Sequence, residues 1–120
     1  MATYTKVALS EGTNGLGVQI TSTSNSSPTT IHNAPSGTTS WDEIWLWVVN
    51  NDALNDDEAF TINWGDANYS KWTVEETISV GSGLKLVVPG LILQNSQSLF
   101  GWASVDNTAL TVFGYVNRIT

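Results

Sequence analysis

The chain contains one histidine, His32, no cysteine, and a short acidic run formed by Asp52, Asp56, Asp57 and Glu58 in the segment NNDALNDDE. Chemistry would have to be assembled from these groups. Zinc and iron sites draw on several imidazole or thiolate ligands, so a single histidine completed by carboxylates is a poor basis for either. A Ser–His–Asp relay is open in residue type because serine is abundant, but no Gly-x-Ser-x-Gly elbow is present. His32 precedes Asn33 in an extended stretch before Pro35 and reads as a surface or hydrogen-bonded residue. The acidic run offers oxygen ligands of the kind Ca²⁺ takes, yet its spacing lacks the Asp-x-Asp/Asn-x-Asp/Asn-Gly order of an EF-hand loop. A solvated loop that discourages edge pairing is the simpler account. Glu43, Glu75 and Glu76 have the right types for glycoside hydrolysis, but that reaction needs two carboxyls facing each other across a cleft, and long cleft-forming loops are missing. Gly81-Ser82-Gly83 lacks the lysine of a phosphate loop and falls between strand-like runs. The expectation is a protein with no catalytic residues, no cofactor and no metal site.

Composition narrows the partners. The 120 residues carry a formal net charge of −7, and the four basic residues are not gathered into a stripe. Such a surface repels phosphate backbones and anionic membranes, which argues against nucleic-acid and membrane binding. Only 12% of residues are charged, so Ser, Thr and Asn must supply most of the polar surface. The N-terminal residues do not read as a signal peptide, and no apolar run approaches the roughly 20 residues of a membrane helix.

Any functional group must be held by strands, because helical periodicity is almost absent. Short alternating runs recur between Gly, Asn, Asp, Ser and Pro clusters. They fall at 4–9, 17–22, 29–34, 41–50, 59–64, 72–80, 84–88, 91–93, 99–105 and 110–118. The fold expected is an all-β, antiparallel β-sandwich, jelly-roll-like, of about eight or nine short strands. It forms one domain over 1–120, with a sandwich core at 31–120 and N-terminal strands or an arm at 1–30. The arm carries an exposed Ser/Thr-rich loop at 21–30 (TSTSNSSPTT). Pro89-Gly90 separates two of the runs, and Glu76 interrupts the apolar face of Trp72, Val74, Ile78 and Val80, which calls for a bulge or a partner.

The most informative run is WDEIWLWVVN, residues 41–50. In a strand, Ile44, Leu46 and Val48 face one way and Trp45, Trp47 and Val49 the other, so both faces are apolar. A sandwich strand normally wets one face. The second face is therefore covered by loops or the N-terminal segment, packed against another subunit, or used as a carbohydrate-stacking platform. The last run repeats the pattern, with Leu110, Val112 and Val116 opposed to Phe113 and Tyr115 around Gly114. Aromatic rings bury much area with few torsions to freeze, which favours them at interfaces. The candidate partner surface is thus Trp45, Trp47, Val49, Phe113 and Tyr115. Trp64, Tyr69 and Trp72, flanking one turn, are the candidates for stacking on a glycan.

The stretch from Ile31 to Trp47, with its Ala34-Pro35-Ser36-Gly37-Thr38-Thr39 turn leading into an apolar strand, resembles small tailed-bacteriophage virion proteins. So do the Trp64-Gly65 strand end and the closing Gly114-Tyr115-Val116-Asn117-Arg118-Ile119. The resemblance covers roughly residues 31–120. It implies a capsid decoration (cement) protein on the virion surface, made in the host bacterial cytoplasm. It also implies assembly as a homotrimer, partnership with the major capsid protein, and no catalytic residues. The alternative it leaves is a carbohydrate-binding or receptor-binding sandwich of a phage tail or fibre.

Overall fold

The computed structural model describes every residue except Met1, Ala67 and Tyr69. Nine strands are formed among the described residues: β1 (Tyr4–Ala8), β2 (Val18–Gln19), β3 (Thr29–Asn33), β4 (Trp41–Asn50), β5 (Glu58–Trp64), β6 (Thr73–Ile78), β7 (Lys85–Gln94), β8 (Ser98–Ala103) and β9 (Leu110–Ile119). A single 3₁₀ turn, Ser70–Trp72, leads into β6. The strands make two antiparallel sheets. Sheet A has the order β1-β9-β4-β7, with β2 also on β9, and sheet B has the order β3-β8-β5-β6.

This order defines the topology. From the β5–β6 hairpin outward, β4 pairs β7, β3 pairs β8 and β2 pairs β9, and successive pairs alternate between the sheets. The chain is one long antiparallel ribbon rolled over on itself, which is a jelly roll. The β-sandwich expected from the strand spacing is the fold found.

Side-chain alternation builds the core. Along β4, Asp42, Ile44, Leu46, Val48 and Asn50 are buried while Trp41, Glu43, Trp45, Trp47 and Val49 are half-buried. Ile44, Leu46 and Val48 of this set join Leu110, Val112 and Val116 of β9, Phe60 and Ile62 of β5, and Leu99 and Ala103 of β8 in one apolar cluster. Leu9, Val18 and Ile20 belong to the same cluster, so the N-terminal 30 residues contribute to the core and their strands extend sheet A. Phe60 is the largest fully buried side chain. It fits because β8 carries Gly101 at its centre, where a Cβ would lie 2.8 Å from the Phe60 ring.

Several local expectations are corrected. Pro89-Gly90 does not divide a strand: β7 runs unbroken through it, with register shifts opposite Ile44/Trp45 and Leu46/Trp47. Gly90, at φ 82°, occupies the extra position of the first shift, a conformation that costs a residue with a Cβ roughly 1–2 kcal/mol. Trp72 ends the 3₁₀ turn and is not in the strand. At Glu76 the expected alternative of a partner is the one found: it faces Phe60 in regular register and pairs with Lys85 at 3.0 Å, joining the edge strands of the two sheets. At Gly114 a Cβ would collide with the Trp45 carbonyl oxygen and touch Leu46, so this glycine lets β9 lie close against β4. The Ser/Thr-rich segment is tied at both ends: Ser22 accepts the Ala103 N–H, and Thr29 Oγ1 accepts the Thr21 N–H.

Candidate functional site

The outer face of sheet A gathers the aromatic residues of β4 and β9. Trp45 stands opposite Tyr115 and Trp47 opposite Phe113. The Trp45 and Trp47 rings are 6.5 Å apart with planes 24° from parallel, and Trp47 and Tyr115 are 6.1 Å apart at 29°. Lys6 Nζ of β1 sits 4.5 Å above the Tyr115 ring, a contact worth about 0.5–1 kcal/mol at an exposed site. At the other end the Trp45 indole lies over Gly90 of β7, where a Cβ would approach it to 2.9 Å. The row Lys6–Tyr115–Trp47–Trp45 therefore spans all four neighbouring strands of the sheet.

The row is braced by polar groups. Trp45 Nε1 donates to Glu43 Oε1 at 2.8 Å, and Asn117 Nδ2 donates to the same oxygen at 3.1 Å. These two hydrogen bonds, the Trp45 one first, hold the Glu43 carboxyl below its usual pKa. With its N–H already engaged, the Trp45 indole can be covered by an apolar partner without stranding a donor. Phe113, 38% exposed, packs on Gly17, where a Cβ would meet its ring at 2.8 Å. Trp45, Trp47 and Tyr115 are half-buried and stack on one another.

All five residues assigned to a partner surface, Trp45, Trp47, Val49, Phe113 and Tyr115, thus fall on one face. Three more apolar residues continue it. Leu86 lies opposite Trp47, Pro89 opposite Trp45 and Ile92 opposite Glu43, with Leu86 and Ile92 43% and 54% exposed. Sequence reasoning missed them because it read Pro89-Gly90 as a break, and a bulge inverts the side-chain parity on which such assignments depend.

His32 is fully buried. Its Nδ1 accepts the Ser10 backbone N–H at 2.9 Å, which assigns the proton to Nε2, and Nε2 donates to Asp42 Oδ2 at 2.5 Å. Both ring nitrogens are thereby engaged, and Ser10 Oγ is taken by the Asn33 N–H at 2.7 Å. Asp42 also receives Arg118 Nε at 2.8 Å and Nη2 at 2.9 Å. Burial pushes the Asp42 carboxyl up, but the hydrogen bonds from Arg118 and His32, with the Arg118 charge, outweigh it and hold the group below its usual value. The same contact raises Arg118. The cluster ties β3 of sheet B to β4 and β9 of sheet A; it is a strut between layers.

The acidic loop is also spent on backbone. Glu58 Oε1 accepts from Ser104 Oγ and from the Val105 and Asp106 N–H groups, and Asp52 Oδ1 accepts the Leu54 N–H. Among the described residues no group of three or more His, Cys, Asp or Glu is placed to hold a metal ion. Glu43 lies in sheet A, whereas Glu75 and Glu76 lie on β6 of sheet B.

Of the glycan-stacking candidates, Trp64 and Trp72 line one cleft around Gly65. Tyr69 lies outside the described residues. No protein-family model matches the chain, and a search of curated proteins finds no significant match.

Proposed function

We propose that this protein is a structural subunit that assembles with copies of itself through the outer face of sheet A. In its specific form it is a homo-oligomeric decoration (cement) protein of a tailed-phage head, a trimer partnered by the major capsid protein. The observation that carries the assembly reading is the braced aromatic row Tyr115–Trp47–Trp45, flanked by Phe113, Val49, Leu86, Pro89 and Ile92, on the outer face of sheet A, where Leu86, Ile92 and Phe113 are 43%, 54% and 38% exposed. Large apolar patches on soluble proteins mark interaction sites. Rings already stacked lose little freedom when a partner arrives, which lowers the entropic cost of association.

The phage part of the reading is supported by the resemblance of residues 31–120 to small virion proteins. Jelly rolls occur in viral capsid proteins and in lectins, so the fold admits the reading without choosing it. Sedimentation velocity on the purified chain tests the assembly. A discrete oligomer at micromolar concentration is expected, and a lone 12.9 kDa species would overturn the proposal.

A further inference from the structure

The sandwich is open along one side. β6 is an edge of sheet B and β7 an edge of sheet A, and the Glu76–Lys85 ion pair bridges them near residues 79–84, the connection that crosses from one sheet to the other. Val74 stands opposite buried Ile62, and Leu91 opposite buried Ile44, so both occupy inward-facing positions. Yet they are 53% and 50% exposed. Beyond them a cleft of about 510 Å³ enters between the sheets, within the size range of small-molecule sites, roughly 300–1,000 Å³.

Its lining is specific. Trp64 and Trp72 supply two indoles, and Leu93 and Val74 an apolar floor and wall. Trp64 Nε1 is engaged by the Ile92 carbonyl at 3.0 Å, so this indole offers its ring and not its donor. Trp72 is half exposed. Gly65 lies between the polar and aromatic parts: a Cβ there would be 3.6 Å from Gln97 Oε1 and 3.8 Å from the Trp72 ring, so its absence leaves that space open. Among the described residues Lys71 is the one charged group of the lining, a cation in a chain of net charge −7.

From this arrangement we propose that the cleft binds a pyranose saccharide. The C–H face of the sugar stacks on an indole, and its hydroxyl rim meets the Gln97 amide and the Lys71 ammonium. A saccharide uses both halves of the lining. A purely apolar ligand would leave the amide and ammonium without a role, and a nucleic acid is opposed by the charge of the chain. Lys71 favours sugars that are neutral or acidic over basic ones. The site is separate from the outer face of sheet A, and the inference does not depend on the assembly reading.

The test is a fluorescence titration with saturation-transfer NMR on the full chain, using maltoheptaose, cellohexaose, chitohexaose, sialyllactose and trigalacturonate as probes. At least one probe is expected to perturb tryptophan emission saturably, and Trp72→Ala is expected to weaken that binding tenfold or more. Gln97→Ala, at an exposed position, is expected to weaken it several-fold, and it serves as the second variant if Trp72→Ala does not fold. Binding lost on Trp47→Ala but retained on Trp72→Ala would overturn the proposal, as would no response to any probe or a response to decanoate alone. Assembly can fail while the titration succeeds, and the reverse, so the two readings are separately refutable.

Discussion

Replacing Trp47 by alanine removes the middle ring of the outer row. Trp47 contacts Trp45 and Tyr115 at 6.5 and 6.1 Å, so two aromatic pairs disappear at once. Each such pair is worth about 0.5–1.5 kcal/mol beyond its buried area, which puts the direct cost to the isolated fold at about 1–3 kcal/mol. The cost to assembly is additional. A central aromatic anchor contributes about 2 kcal/mol or more to an interface, and 1.4 kcal/mol is a factor of ten, so the dissociation constant should rise about 30-fold or more. Sedimentation equilibrium over a dilution series measures that ratio, and urea unfolding of the dissociated variant isolates the fold term. The reasoning is refuted if Trp47→Ala remains folded and dissociates within twofold of the wild-type protein.

Four further outcomes are expected. Asp42→Asn leaves Arg118 without its carboxylate and should destabilise the fold by about 3 kcal/mol in urea, at the low end of the usual cost of breaking a buried pair because Arg118 is 32% exposed. Because the folded-state pKa of Asp42 lies below its ordinary 3.8, its stabilising contribution is complete above that range and is lost as pH falls through the folded value. The urea midpoint should therefore decline below about pH 4 in the wild-type protein, and that part of the slope should vanish in Asp42→Asn. Gly114→Ala drives a Cβ into the Trp45 carbonyl at the centre of the β4–β9 pair and should cost about 3 kcal/mol, read as a lowered Tm. Gly90→Ala combines positive φ with a contact on the Trp45 ring, so it should cost about 1–2 kcal/mol and also weaken assembly, because the indole must move.

The sheet alternation was readable because apolar periodicity and burial agree. Between Ile44 and Val49 both faces of β4 are apolar, and the inward residues Ile44, Leu46 and Val48 are buried. The outer aromatic face was readable for the same reason, since residues at i and i+2 must share a side. Its β7 flank was not, because Gly90 inserts one residue and reverses which side chains face out. The His32–Asp42–Arg118 strut was also hidden: its members are 10 and 76 residues apart and meet only when the ribbon rolls up. Asp42 and Asn50 look like solvent-facing residues in a strand, yet both are buried and satisfied by long-range partners, Asn50 through the Asp56 and Ile78 carbonyls. The open side between β6 and β7 follows from sheet order, which local pattern does not encode.

The proposed assembly brings copies together through the outer face of sheet A. Hydroxyl-radical footprinting of the assembled protein against the same protein dissociated by dilution tests it most directly. Trp45, Trp47, Phe113 and Tyr115 are expected to be oxidised less in the assembly, while Trp72, on the open side of the sandwich, is unchanged. Equal oxidation of the four residues in both states, with protection at Trp72 instead, would place the interface elsewhere and contradict the account.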